Sequence, residues 1–206
     1  MKSSRPPLPP FRIFAEFLDP GLIDRLLEYS FSNEARFQAT TIGGGSELNP
    51  SVRISHKLDD LGTLREELES RIMLMAPKLI TDLHLTLFGP ARCEIELVAH
   101  GDGAFYLRHI DPDTERGGSA DMHRIVSGVY YFNNEPKAFS GGALRLYSFG
   151  PFGEHSEFID IEPSHNTFVV FPSWVLHEVL PVSCPSKRFI DSRFAINCWL
   201  WRRKTT

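Results

Sequence analysis

The chain has 206 residues, 42% hydrophobic and 23% charged, with a net charge of −4. That length buries a core without disulfide or metal staples, and the composition is that of a globular protein. The acidic balance, with basic residues clustered only at Arg202-Arg203-Lys204, argues against a nucleic-acid partner, and no apolar run approaches the ~18 residues of a membrane span. The opening Met1-Lys2-Ser3-Ser4-Arg5-Pro6-Pro7 lacks the apolar stretch of a secretory signal. Cys93, Cys184 and Cys198 are odd in number and share no CxxC spacing. They read as buried thiols of a reducing, cytoplasmic setting.

Residues 1–206 read as a single domain: an extended arm over 1–10, a helical support over 11–90 and a β-rich core over 91–201. Asp19 and Pro20 make an N-cap and first helical residue, and Leu22, Ile23, Leu26 and Leu27 form the apolar stripe of a helix over about 20–30. Residues 38–55, with Gly43-Gly44-Gly45 and Asn49-Pro50, read as a mobile loop or irregular hairpin. From Asp59, Leu61, Leu64, Leu68, Ile72, Met75 and Leu79 mark one face of a long helix. Thr63-Leu64-Arg65-Glu66 is its candidate capping box, and Pro77 lies near its end. Beyond residue 90, short β-rich runs occur at about 93–99, 104–109, 125–133, 143–147, 157–161, 167–171, 176–181 and 193–201, most of them separated by turn residues. The expected fold is α+β but mainly β: a double-stranded β-helix, or jelly roll, with N-terminal helices packed on one sheet.

All the candidate chemistry lies in the β-rich part. His109-Ile110-Asp111 places two metal-ligand types at i and i+2, which share a face in a strand. Alone the pattern is weak, and a strand-end histidine beside a loop aspartate is the plain alternative. His177, following the apolar run 168–171, adds a second imidazole and completes a 2-His-1-carboxylate set. Those ligands suit iron(II) and leave coordination positions open, although a satisfied core histidine is the alternative here. In the last run, alternation puts Arg193, Ala195, Asn197 and Trp199 on one face and Phe194, Ile196, Cys198 and Leu200 on the other. An inward arginine needs an anion, and its planar fork matches a carboxylate. Asp191 is an alternative partner within the protein, and Arg188 is a competing arginine in a poorer strand context.

Together these segments resemble the prolyl-4-hydroxylase-like branch of the iron(II)/2-oxoglutarate dioxygenases. The likeness runs through Arg108-His109-Ile110-Asp111, Val129-Tyr130-Tyr131-Phe132-Asn133, Ser140-Gly141-Gly142, His177-Glu178-Val179 and the strand from Arg193 to Trp199. It covers most of residues 11–201. The resemblance implies Fe(II), 2-oxoglutarate and O2 as cofactor and cosubstrates, with ascorbate as an accessory reductant. It implies His109, Asp111 and His177 as metal ligands, and Arg193 with Tyr131 on the far carboxylate of 2-oxoglutarate. The implied reaction is hydroxylation of an unactivated C–H bond of a prolyl residue in a protein or peptide. A free amino acid or natural-product intermediate is the alternative small-molecule substrate, and a non-catalytic jelly-roll ligand-binding protein is the alternative class. Two departures stand out. Where the family often has a cosubstrate-contacting tyrosine, Ala99 is followed by His100, which reads as an exposed loop histidine; and residues 183–192 lengthen the connection before Arg193. The loops at 38–55 and 112–123 are the candidate substrate-capture segments.

Overall fold

A computed structural model describes residues 7–41, 48–111, 122–149 and 157–203. The described residues form helices α1 (Pro20–Ser32) and α2 (Leu64–Asp82). The early strands are β1 (Arg12–Ala15), β2 (Gln38–Ala39), β3 (Arg53–Ile54), β4 (His56–Leu58), β5 (Arg92–His100), β6 (Phe105–His109) and β7 (Met122–Phe132). They are followed by β8 (Ser140–Gly141), β9 (Leu144–Tyr147), β10 (Phe158–Ile161), β11 (Thr167–Pro172), β12 (His177–Val179), β13 (Val182–Ser183) and β14 (Arg193–Arg203). A major sheet runs in the order β1-β11-β7-β14-β5-β4-β2, and a minor sheet in the order β10-β9-β12-β6-β3. This is the expected jelly roll, and the eight runs read from the sequence correspond to β5, β6, β7, β9, β10, β11, β12 and β14.

The pleat of β14, at the centre of the major sheet, explains the layering. Phe194, Ile196, Cys198 and Leu200 pack outward with Ile95, Leu97, Tyr130 and Phe132 against Leu22 and Leu26 of α1 and Leu68, Ile72 and Leu79 of α2. On the inner face Ala195 and Tyr131 meet Leu144, Leu146, Val169 and Phe171 in a second, smaller core between the sheets. Two-residue periodicity therefore assigns one face of β14 to the helical layer and the other to the interior of the roll.

The helices start as their local chemistry dictates, with one correction. Asp19 caps α1, its Oδ1 accepting from Leu22 N at 3.0 Å, and Pro20 stands in the first turn. The capping box at Thr63 does not form: its backbone is helical (φ −67°, ψ −18°), and its side chain makes no cap bond. A capping side chain reaches the helix N–H groups from an extended backbone, which Thr63 lacks. Helix α2 begins at Leu64, Ala76 is buried in its stripe where Met75 is half-buried, and Pro77 lies inside the helix on an exposed position. Four further strands, β1 to β4, extend the sheets into the region read as helical support. The 38–55 segment supplies β2 and β3; its residues 42–47 lie outside the described residues, as do 1–6 of the arm, 112–121 of the second capture segment and Lys204 of the basic cluster. Among the described residues no helix is long and apolar enough to cross a membrane.

Candidate active site

Strand pairing brings the two histidines together. His177 of β12 lies directly opposite His109 of β6, with ring centroids 4.1 Å apart. Each ring is turned by the carbonyl two residues before it: His109 Nδ1 is 2.8 Å from Leu107 O, and His177 Nδ1 is 2.8 Å from Val175 O. Protonated Nδ1 atoms donating to these carbonyls leave both Nε2 lone pairs bare, the state a metal requires. Burial, and then the neighbouring His177, push the His109 imidazole down to about 3, which keeps it neutral.

Asp111 follows β6 and is held by its main-chain N–H donating to Ser173 O at 3.0 Å. Its Oδ2 accepts from Ser127 Oγ at 2.5 Å and from Trp199 Nε1 at 2.9 Å. Oδ1 lies 3.8 Å from His109 Nε2, and Oδ2 lies 3.8 Å from His177 Nε2. Burial alone would raise the Asp111 carboxyl, but the two imidazoles and the bonds from Ser127 and Trp199 outweigh it and hold it below the ordinary range. The ligand atoms of His109, Asp111 and His177 all fall within 4.8 Å of one another. Two imidazoles and one carboxylate suit a divalent ion such as iron(II).

The same cavity, about 440 Å³, contains Arg193, Tyr131 and His100. Arg193 is 1% exposed and has no carboxylate partner among the described residues. Its Nε and Nη2, and the Tyr131 hydroxyl, are buried without any hydrogen-bond partner. Nη1 lies 3.1 Å from His100 Nδ1, and the Tyr131 ring sits 4.7 Å from the guanidinium carbon. Burial raises the Tyr131 phenol despite the adjacent cation, so it remains an O–H donor. A buried cation and three open donors would be costly to leave unpaired, and a carboxylate satisfies all of them. Gly142 makes room for this arrangement: a Cβ there would approach Arg193 Cδ to 2.7 Å.

The 2OG-Fe(II) oxygenase superfamily model matches residues 95–201, more than half of the chain. The chain belongs to this superfamily. Its members use Fe(II), 2-oxoglutarate and O2. An uncharacterised PKHD-type hydroxylase of Synechocystis is 37% identical over 185 residues, which are 88% of this chain and 57% of that protein; the chain thus spans little more than half of its relative. The fold is shared with a prolyl-4-hydroxylase of Pseudomonas putida (TM-score 0.66, 24% identity, 96% of this chain and 94% of that one). It is shared also with a Trichoplax adhaerens prolyl hydroxylase solved with a hypoxia-inducible-factor peptide (TM-score 0.63, 20% identity, 93% and 83%).

Every sequence-predicted site residue lines this cavity: His109, Asp111, His177, Arg193 and Tyr131. Arg188 does not; it pairs at the surface with Asp191, Nε to Oδ2 at 2.8 Å, so neither residue competes with or for Arg193. The reading of His100 as an exposed loop residue is corrected. It ends β5 opposite Arg193 and is 4% exposed, because the ladder with β14 extends to that residue. Sequence reasoning also missed the partners of Asp111. Alternation along β7 and β14 was enough to aim Ser127 and Trp199 inward, but not to say what they meet. Tyr106 stacks on His109 at 3.6 Å between centroids, and Arg53 and Arg124 cap Tyr106 and Trp199 at 4.8 and 4.0 Å.

Proposed function

We propose that this chain is an iron(II)- and 2-oxoglutarate-dependent hydroxylase acting on a prolyl residue in a protein or peptide. The observation that carries the reading is one cavity holding the three-residue ligand set together with a buried Arg193 whose Nε and Nη2, like the Tyr131 hydroxyl, have no partner. In the proposed reaction R–H, 2-oxoglutarate and O2 give R–OH, succinate and CO2. Bound iron supplies the dioxygen activation and couples it to the decarboxylation. His109, Asp111 and His177 would hold the ion, and Ser127 and Trp199, donating to Asp111 Oδ2, fix the carboxylate for that task. Arg193 and Tyr131 receive the far carboxylate, and Leu144, Phe171 and Val179 give the cavity apolar walls that exclude water.

A polypeptide substrate is supported by the names of the hydroxylases that share the sequence and fold. It is supported also by the cavity mouth, where Thr41, Arg53 and Lys57 from the 38–58 segment contribute walls. We assign substrate capture to 38–55 and 112–123. Three free, buried cysteines agree with a reducing, cytoplasmic compartment. The test is mass spectrometry of cell extract incubated with the protein, iron(II), 2-oxoglutarate and oxygen. A gain of one oxygen on a prolyl residue supports the proposal; a gain on a free metabolite replaces the peptide by a small-molecule substrate. Absence of 2-oxoglutarate binding to the manganese-loaded protein leaves only a ligand-binding role.

A further inference from the structure

Arg193 carries five N–H donors on a planar fork, and two of its edges can grip a carboxylate: the side edge, Nε with Nη2, and the end edge, Nη1 with Nη2. The surroundings treat these edges differently. Nη1 lies 3.1 Å from His100 Nδ1, whereas Nε and Nη2 are buried with no partner. We propose that His100 is a positioning residue that selects the side edge of Arg193 for the cosubstrate carboxylate, by accepting the Nη1 hydrogen bond on its own Nδ1. The proposal rests on the 2-oxoglutarate reading of the cavity and assigns a role to a residue outside that reading's ligand set.

Three contacts set the plane of the guanidinium. Tyr131 lies against its face, Gly142 leaves room for its stem, and His100 occupies one end. His100 is itself fixed, since it pairs with Arg193 in the β5–β14 ladder and is 4% exposed. Its charge matters as much as its place. Burial, then Arg193 and Arg53, drive its imidazole well below the ordinary histidine range, so the ring beside Arg193 is neutral. A carboxylate at this position would hold Nη1 equally well but would cancel the positive charge that attracts an anionic ligand. A neutral acceptor orients the fork and leaves its charge for the ligand.

The experiment is calorimetric titration of the manganese-loaded protein with 2-oxoglutarate and, separately, with oxalate, which chelates the metal and has no far carboxylate. His100→Leu is expected to weaken 2-oxoglutarate binding about tenfold, the loss of one hydrogen bond to a charged group, with oxalate binding unchanged. His100→Asn, whose Oδ1 can take the place of Nδ1, should stay within about threefold of the parent. Equal loss of both ligands in His100→Leu, or no loss of either, overturns the proposal. Parent protein that binds oxalate and not 2-oxoglutarate overturns the cosubstrate reading itself, a distinct failure. If the variants do not fold, the nitrogen-15 shifts of the parent protein decide: a neutral ring with Nδ1 unprotonated supports the assignment, and a proton on Nδ1 overturns it.

Discussion

The two faces of β14 carry opposite kinds of chemistry on one backbone. Outward, Phe194, Ile196, Cys198 and Leu200 are apolar and closed over by the helices. Inward, Arg193 is buried with an unanswered charge, and Trp199 spends its N–H on Asp111. The outer face lowers the free energy of the folded chain, whereas the inner face keeps buried donors unsatisfied, an arrangement that the proposed cosubstrate would complete. Stability and function should therefore separate by parity along the strand. Substitutions on one face should move the melting transition, and those on the other should move ligand affinity.

The largest break is expected at the ligand set reached by the inner face. Asp111→Ala or His177→Ala should reduce manganese or iron affinity by at least about a hundredfold and abolish 2-oxoglutarate turnover to succinate, since even outer-shell partners are worth up to that much. Undiminished metal-dependent turnover in either variant would remove the triad. Next is Arg193→Met, which should cost about 3–5 kcal/mol of 2-oxoglutarate binding by calorimetry while leaving the apo protein as stable or more so. The second half follows because replacing an unpaired buried cation by an apolar side chain of similar length removes a desolvation penalty. Arg188→Ala should leave 2-oxoglutarate binding unchanged, because Arg188 is a 64% exposed side chain outside the cavity.

On the outer face the pattern should reverse. Phe194→Ala should lose about 3–5 kcal/mol of unfolding free energy in denaturant titration, with 2-oxoglutarate affinity of the folded fraction retained. Gly142→Ala sharpens the comparison from across the roll. Gly142 has φ +71°, and the added Cβ would meet Arg193 Cδ at 2.7 Å. About a tenfold rise in the KM for 2-oxoglutarate, with a smaller change in kcat, is the expected result of displacing the arginine stem.

The smallest effect is in pH. His100 is depressed well below 6.5 and His109 to about 3, first by burial in each case. Above pH 6.5 both are neutral in the folded and unfolded chain and contribute nothing to the pH dependence. As pH falls below 6.5 the unfolded chain takes up protons that the folded one refuses. Metal-free protein should therefore lose stability on acidification, by up to about 1.4 kcal/mol per pH unit for each histidine. His100→Asn should remove one of these shares, as read from denaturant midpoints at pH 6.5 and 5.5; an unchanged slope would show that His100 is protonated within the fold.

Much of this was legible before any coordinates. The eight runs that correspond to β5, β6, β7, β9, β10, β11, β12 and β14 announce themselves by composition and turn residues, and the faces of β14 follow from counting by two. The short strands β2, β3 and β4 were not legible. Two or three residues carry no periodicity; β3 and β4 are extended because β6 and β5 offer them open ladder positions, and β2 adds in turn to β4. The capping box expected at Thr63, which does not form, is similar: the residue types fit, but the backbone at that residue has already turned helical.

The residue types of the site, and which side chains alternate onto a shared face, are local properties and can be read along the chain. Which of them meet is a property of sheet closure. Asp111 finds Trp199 across 88 residues, and Arg193 finds His100 across 93. No local pattern encodes those separations. The folded β5–β14 ladder alone put His100 inside beside Arg193, whose side edge is left without a partner.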